Sequence, residues 1–320
     1  RQDSAWSATL CALIAARWRA AGDGPFDRLR VYASGQAHSS VEKAVRVAGL
    51  RPDQLRLIDV DDAHAARPEH LAALMAEDAA AGLVPAFVVA NLGTTSSTAV
   101  DPIGAMAEVA AEHGAWLHVD GAHAGAHLVL PELRWIADGI ERADSFCMNP
   151  HKRLLVNFDC DCFWVADRQP LVAALSVLPE YLRNAATESG AVIDYRDWQI
   201  PLGRRFRALK LWFVLRAYGV EGLRAHVREQ TELAQQLAAR IAEHPRLELA
   251  APHPLDLVCF RHVDGDEASE ALLARLNETG RVFLPHPRLD DRFVLRVSVG
   301  AQATEARHVD ALWALIDELA

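Results

Sequence analysis

The sequence predicts an α/β fold in which a mostly parallel sheet is covered by helices on both faces and is followed by a small α+β unit. Three observations predict it. Short apolar segments that read as buried strands alternate with helical patterns about ten residues long. Those strand segments are continuous apolar runs, as expected where both faces of a sheet are covered. After Arg204-Arg205 the pattern changes to a long amphipathic stretch that leads into strands around a single helix.

The elements follow in order. From Ser7 to Ala20, Leu10, Leu13, Ile14 and Trp18 recur at helical spacing, and Gly22-Asp23-Gly24-Pro25 ends the helix. A strand at Val31-Tyr32, a turn at Ser34-Gly35-Gln36 and a helix from Val41 to Val47 make one strand-turn-helix unit. Leu55–Val60 and Ala86–Ala90 read as strands with a helix at Leu71–Ala80 between them, and Pro102–His113 reads as the next helix. Trp116–Val119 and Ser145–Met148 are further strands. Helical stretches at Leu209–Ala217 and Leu223–Ala242 precede strands at Leu247–Ala250 and Leu257–Phe260, a helix at Glu267–Asn277 and a strand at Phe293–Ser298. The expected division is a large domain over 1–220 and a small C-terminal domain over 221–320.

The chain has 33 Lys and Arg against 43 Asp and Glu, a net charge of -10, and no basic run interleaved with aromatics, so nucleic acid is not an expected partner. No apolar run reaches membrane-spanning length and Arg1 to Arg17 lack the order of a secretory signal, which makes cytoplasmic the expectation. Five irregularly spaced cysteines argue for reduced thiols rather than a disulfide framework.

Sheets of this type bind ligands at the carboxyl ends of their strands, so the polar residues there carry the search for chemistry. Ser145-Phe-Cys-Met-Asn-Pro-His-Lys152 is an apolar strand whose Asn-Pro turn places a lysine at such an end. A confined lysine has a lowered pKa and can form an imine with an aldehyde, although Lys152 by itself reads equally well as a solvated loop lysine. Trp116-Leu-His-Val-Asp120 delivers a carboxylate at the end of another strand, followed by small residues that would let a flat ligand approach the backbone. Asp120 could pair with a protonated pyridine nitrogen, the electron sink for charge developing at a substrate Cα. His118, Asp120, His123 and His127 also offer metal-ligand chemistry, but only His118 and Asp120 share a strand face, and no second ligand cluster of clear spacing accompanies them. His38 stands just before a helix whose free N–H groups favour anions or aromatic edges.

Together these segments resemble the group II pyridoxal-phosphate decarboxylases, the family of aromatic-L-amino-acid decarboxylase. The resemblance runs through Gln-Ala-His38-Ser-Ser-Val-Glu-Lys, Asn-Leu-Gly-Thr-Thr95, His-Val-Asp120, Asn-Pro-His-Lys152, Leu-Leu-Val-Asn-Phe-Asp-Cys160 and Asp194-Tyr-Arg-Asp-Trp-Gln-Ile-Pro-Leu-Gly203-Arg-Arg-Phe-Arg. It implies a fold type I, pyridoxal-phosphate-dependent transferase-like large domain and pyridoxal 5'-phosphate as cofactor. Lys152 would hold the cofactor as a Schiff base, Asp120 would bind the ring nitrogen, His38 would stack on the ring, and Thr95 and Ala122 would line it. The phosphate would sit at the helix start containing Ser4 and Ala5, helped by Asn149 and His151. Tyr181, in the family's mobile catalytic loop, would return a proton to the substrate carbon, where phenylalanine would suggest an aldehyde synthase. Gly203 would mark an aromatic rather than a histidine substrate.

The chain departs from the family pattern at Trp6, where a small hydroxyl residue is expected, at His123, where an aromatic is usual, and at Arg153, where Trp commonly follows the lysine. Family members begin well over a hundred residues earlier, so a truncated start is expected. The resemblance further implies an amino-acid substrate and a homodimer with the active site at its interface. The departures and the absent leading segment keep open an inactive or partial homologue that acts as a binding or dimer partner, and cofactor chemistry with altered proton delivery keeps open an enzyme with an oxidative-deamination outcome.

Overall fold

The computed structural model of the chain describes residues 2–177 and 193–320. Its main sheet contains β1 (Leu29–Ser34), β2 (Leu55–Ile58), β3 (Val84–Asn91), β4 (Trp116–Asp120), β5 (Ser145–Met148) and β6 (Cys162–Val165). Their spatial order is β2-β1-β3-β4-β5-β6; the first five run parallel and β6 pairs antiparallel with β5 at the edge. The central strands β3 and β4 are buried along nearly their whole length, because helices cover both faces of the sheet.

On one face lie α1 (Ala5–Ala21) and α2 (Ser40–Val47), with Leu10, Leu13, Val41 and Val45 packed on Val31, Phe87 and Trp116. On the other lie α3 (Pro68–Ala80) and α4 (Ile103–Glu112), with Leu71, Met75, Ile103 and Met106 against Val88, Ala90 and Leu117. Each such side chain withdrawn from water contributes about 1.5–3 kcal/mol. The buried Trp116 indole is satisfied as well as covered, since its N–H donates to Ser145 Oγ at 2.7 Å. The short α5 (Pro150–Arg153) continues from β5, and α6 (Gln169–Leu175) returns to add Leu171 to the α1 side.

The two helical stretches expected after Arg204-Arg205 are present: α7 (Arg207–Glu243) is divided by a kink at Gly219, whose φ of 64° with ψ of -179° is not helical and lies where a Cβ is disfavoured. A second core follows. The second half of α7, with α8 (Asp266–Glu278) and α9 (Ala306–Leu319), packs on an antiparallel sheet ordered β11-β8-β7, made of β7 (Leu247–Leu249), β8 (Leu257–His262) and β11 (Leu295–Ser298).

The expected strand Phe293–Ser298 is divided. β10 (Arg292–Phe293) pairs back on β9 (Arg288–Leu289) through Asp290 and Asp291, both at positive φ as a tight two-residue hairpin requires, and only Leu295–Ser298 joins β8. Neither α9 nor the edge strand β6 was read from the sequence.

Candidate active site

The carboxyl ends of β1, β3, β4 and β5 border one cavity of about 200 Å³. Parallel register brings Asn91 of β3 level with Asp120 of β4, and Asp120 level with Cys147 of β5. Residues far apart in sequence therefore reach the same rim: Ser4, Ala5, His38, Thr95, Asp120, Ala122, Asn149, His151 and Lys152 all line this cavity. Gly203 does not; it is exposed, with open space around it. Tyr181 lies outside the described residues.

Asp120 is 7 % exposed. Its Oδ1 accepts the Ala122 N–H at 2.9 Å and faces the Cys147 thiol at 3.8 Å, whereas Oδ2 takes no hydrogen bond from the described residues. Burial raises the Cys147 thiol well above its usual range, with Asp120 adding to the effect, so the sulfur stays protonated beside the carboxylate. Lys152 keeps accessible surface, as a residue bordering a cavity does, while the protein packed around it depresses its pKa. Desolvation is the largest cause and Arg153 lowers the value further, against the opposing pull of Asp120.

The first turn of α1 closes one end. Asn149 Oδ1 accepts the Ala5 N–H at 3.0 Å, tying the helix start to the segment that carries Lys152. His151 is fixed through Nδ1 to the backbone of Cys160, and burial lowers its pKa. His38 Nδ1 accepts the Ser40 N–H at 3.1 Å, which sets the ring at the entrance to α2. The backbone carbonyl of Thr95 accepts from Arg296 Nε at 2.9 Å.

Trp6 lines the cavity where a hydroxyl was expected, and Lys43 lies 5.1 Å over its ring. The Ser4 and Ser7 hydroxyls are 3.5 Å apart, and Asp3 Oδ1 accepts both the Ser7 hydroxyl and the Ser4 N–H, so a carboxylate sits beside this helix start.

The small residues after Asp120 divide between packing and the cavity. A Cβ on Gly121 would fall 2.5 Å from the Phe146 ring, so Gly121 admits a β5 side chain, and it is Ala122 that faces the cavity. His118 is enclosed between Thr9 Oγ1 at 3.2 Å and Ser145 Oγ at 2.8 Å, and burial takes its pKa down to about 4. Among the described residues no three His, Cys, Asp or Glu side chains gather as a metal would require.

Asn91, Gly93 and Thr94 also line the cavity and were missed, although they belong to the quoted Asn-Leu-Gly-Thr-Thr95 motif. Asn91 is held by the buried Asp101, whose Oδ2 accepts from both its backbone N–H and its amide. A wider groove of about 400 Å³, between residues 281–285, β11 and α9, is largely apolar and lined by no carboxylate among the described residues.

A lysine with a depressed pKa, a carboxylate with one oxygen unclaimed among the described residues and the start of a helix, all on one cavity, suit an aldehyde, a pyridine nitrogen and a phosphate. Comparison with known proteins places the chain in a family that uses such a cofactor, since residues 1–263 match the pyridoxal-dependent decarboxylase conserved domain. The chain belongs to this family. Curated relatives of this decarboxylase-family chain include phenylacetaldehyde synthase from Arabidopsis thaliana, 45% identical over 99% of the chain and 67% of the relative. Tryptophan decarboxylase 2 from Oryza sativa subsp. japonica is 43% identical over 98% of the chain and 66% of the relative. The chain thus spans about two thirds of the length of these relatives. A crystal structure of Oryza sativa TDC with PLP and tryptamine superposes with a TM-score of 0.96 at 42% identity, covering 99% of this chain and 69% of that one.

The residues present fit the family's cofactor, pyridoxal 5'-phosphate. The unclaimed Oδ2 of Asp120 suits a protonated ring nitrogen, and Nζ of Lys152, which makes no hydrogen bond or ion pair among the described residues, suits the aldehyde carbon.

Proposed function

We propose that the protein carrying this chain decarboxylates an aromatic L-amino acid to its amine, with pyridoxal 5'-phosphate held in the β1–β3–β4–β5 cavity. The observation that carries this reading is that Lys152, in the short helix after β5, and Asp120, at the end of β4, line one cavity. When bound, the cofactor supplies a pyridinium ring that draws electrons from the bonds at the substrate Cα.

The chain's own residues make that possible. Asp120 Oδ2 holds the proton at the ring nitrogen, and its burial keeps water from competing for that bond. Lys152 would hold the cofactor through its aldehyde carbon, Nζ replacing the carbonyl oxygen, which leaves as water, and its lowered pKa enlarges the fraction of neutral, nucleophilic amine. His38 and Ala122 bound the ring, Thr95 lies at the rim, and His151 and Asn149 join the first turn of α1, with Ser4 and Ala5, in binding the phosphate. Tyr181 returns the proton to Cα.

Phenylacetaldehyde synthase among the relatives gives a second reading, an aldehyde product. Tyr181 favours the amine, because a phenol in the catalytic loop can protonate the carbon that has lost its carboxylate. Gly203 supports an aromatic substrate through the resemblance alone.

Large and small domains at 1–220 and 221–320 agree with the break in α7 at Gly219. A homodimer is supported by the exposed Phe206, Leu209, Trp212 and Phe213 along the first turns of α7, an apolar stripe of the kind that marks an interface. No helix among the described residues is long and apolar enough to cross a membrane, and a cytoplasmic location is part of the proposal.

The test is product analysis. The full-length protein with pyridoxal 5'-phosphate and tryptophan, tyrosine, dopa, 5-hydroxytryptophan or phenylalanine should release carbon dioxide and the matching amine, and Tyr181→Phe should divert product toward aldehyde. Absence of turnover, with no Lys152-dependent visible absorbance, would end this reading.

A further inference from the structure

Two positions at which the chain departs from the family pattern, His123 and Arg153, meet at a carboxylate that sequence reading does not single out. Asp256 immediately precedes β8, in the second core, and is fully buried. Its Oδ1 accepts from His123 Nε2 at 2.7 Å, with His127 Nε2 at 3.5 Å, and its Oδ2 contacts Nε of Arg153. Arg153 also donates to Ser298 Oγ of β11 at 2.5 Å, and its guanidinium leaves no room for a side chain at Gly300. The backbone carbonyl of Asp256 accepts the Val299 N–H at 2.8 Å, so the carboxylate stands on a braced strand pair.

Both partners belong to the segments that build the cofactor cavity. Arg153 directly follows Lys152. His123 closely follows Asp120 and itself lines the cavity. Two aromatic side chains at these positions would be held by packing alone, whereas a buried guanidinium requires an anion and an imidazole requires a hydrogen-bond partner. Burial takes the His123 imidazole down to about 4, so it is neutral and donates its Nε2 proton. One carboxylate from the C-terminal core therefore grips both loops.

We propose that Asp256 is a positioning residue of the cofactor site, fixing through Arg153 and His123 the two backbone segments that present Lys152 and Asp120. This rests on the reading of those two residues as the cofactor's anchors. Polar contacts are directional where aromatic packing is not, so the seating of the C-terminal core becomes coupled to the geometry of the cavity.

The experiment compares the full-length protein with Asp256→Asn and with the double variant Arg153→Met/Asp256→Asn. Three quantities are measured: affinity for pyridoxal 5'-phosphate, the melting temperature of the cofactor-free protein, and amide exchange in residues 120–127 and 149–156. Asp256→Asn should weaken cofactor affinity about tenfold or more, on the scale of one charge-assisted hydrogen bond. Exchange should accelerate in both segments while β3 stays protected. The double variant removes the orphaned cation, so its melting temperature should return toward the parent while cofactor affinity stays low.

Affinity within about twofold of the parent in Asp256→Asn, or affinity that recovers together with melting temperature in the double variant, would reduce Asp256 to a stabilising ion pair and overturn the proposal. A parent protein that binds no pyridoxal 5'-phosphate would overturn the functional reading and this inference with it. A parent that binds normally beside an unaffected Asp256→Asn defeats the inference alone.

Discussion

Replacing Asp120 with Asn separates what the carboxylate does for the fold from what it does for chemistry. In the protein alone Oδ1 accepts from the Ala122 N–H and faces the Cys147 thiol, and an asparagine carbonyl can keep both contacts. The melting temperature of the cofactor-free protein should therefore move less than cofactor affinity does. The other oxygen, Oδ2, is where the substitution acts, because it becomes an NH2 group that donates rather than accepts. A hydrogen bond to a charged group is worth about 1.5–3 kcal/mol, so affinity for pyridoxal 5'-phosphate should fall roughly 10- to 150-fold. Turnover should fall further, by about a hundredfold or more, the scale seen when one electrostatic stabiliser of a transition state is removed. Fluorescence titration gives the affinity, carbon dioxide release gives kcat, and scanning calorimetry gives the melting temperature. Unchanged affinity and turnover, or a collapse in stability with no change specific to the cofactor, would refute the role assigned to Asp120.

Lys152→Met should abolish the visible absorbance of the bound cofactor while leaving the cofactor-free protein folded, because no ion pair or hydrogen bond among the described residues is lost. Since the folded-state pKa of Lys152 is lowered from 10.5, the unfolded chain holds the extra proton between the two values; stability should rise with pH across that window, and the rise should shrink in Lys152→Met in denaturant titrations. His118 sits at about 4 against 6.5, so its contribution of up to about 3 kcal/mol is lost as pH falls from about 6.5 to about 4; His118→Gln should flatten that limb of the stability profile. Asp3→Asn keeps an acceptor for Ser4 and Ser7 but removes a charge beside the helix start, and equilibrium titration should show cofactor affinity rising by about 0.5–1 kcal/mol; a fall would place the phosphate elsewhere. Phe206→Asp/Phe213→Asp in the full-length protein should shift sedimentation from dimer to monomer if the α7 stripe is the interface.

Much of this molecule is legible along the chain, because periodicity and strand ends are local properties. The β3, β4 and β5 segments are continuous apolar runs that require a sheet covered on both faces, and the residues at their ends, Asp120, Asn149 and Lys152, are displayed by the turns that follow. What spacing cannot express is which loops meet. That Asn91 stands level with Asp120 is a matter of register, that Asn149 caps the Ala5 N–H depends on a helix far earlier in the chain, and that Gly121 yields its space to Phe146 depends on how β4 lies against β5. His123 and Arg153 stand out in sequence as departures from the family pattern, and nothing in the sequence singles out Asp256. Only folding brings the three within hydrogen-bond reach, because the attraction that joins them acts through space across the two cores and leaves no pattern in the order of residues.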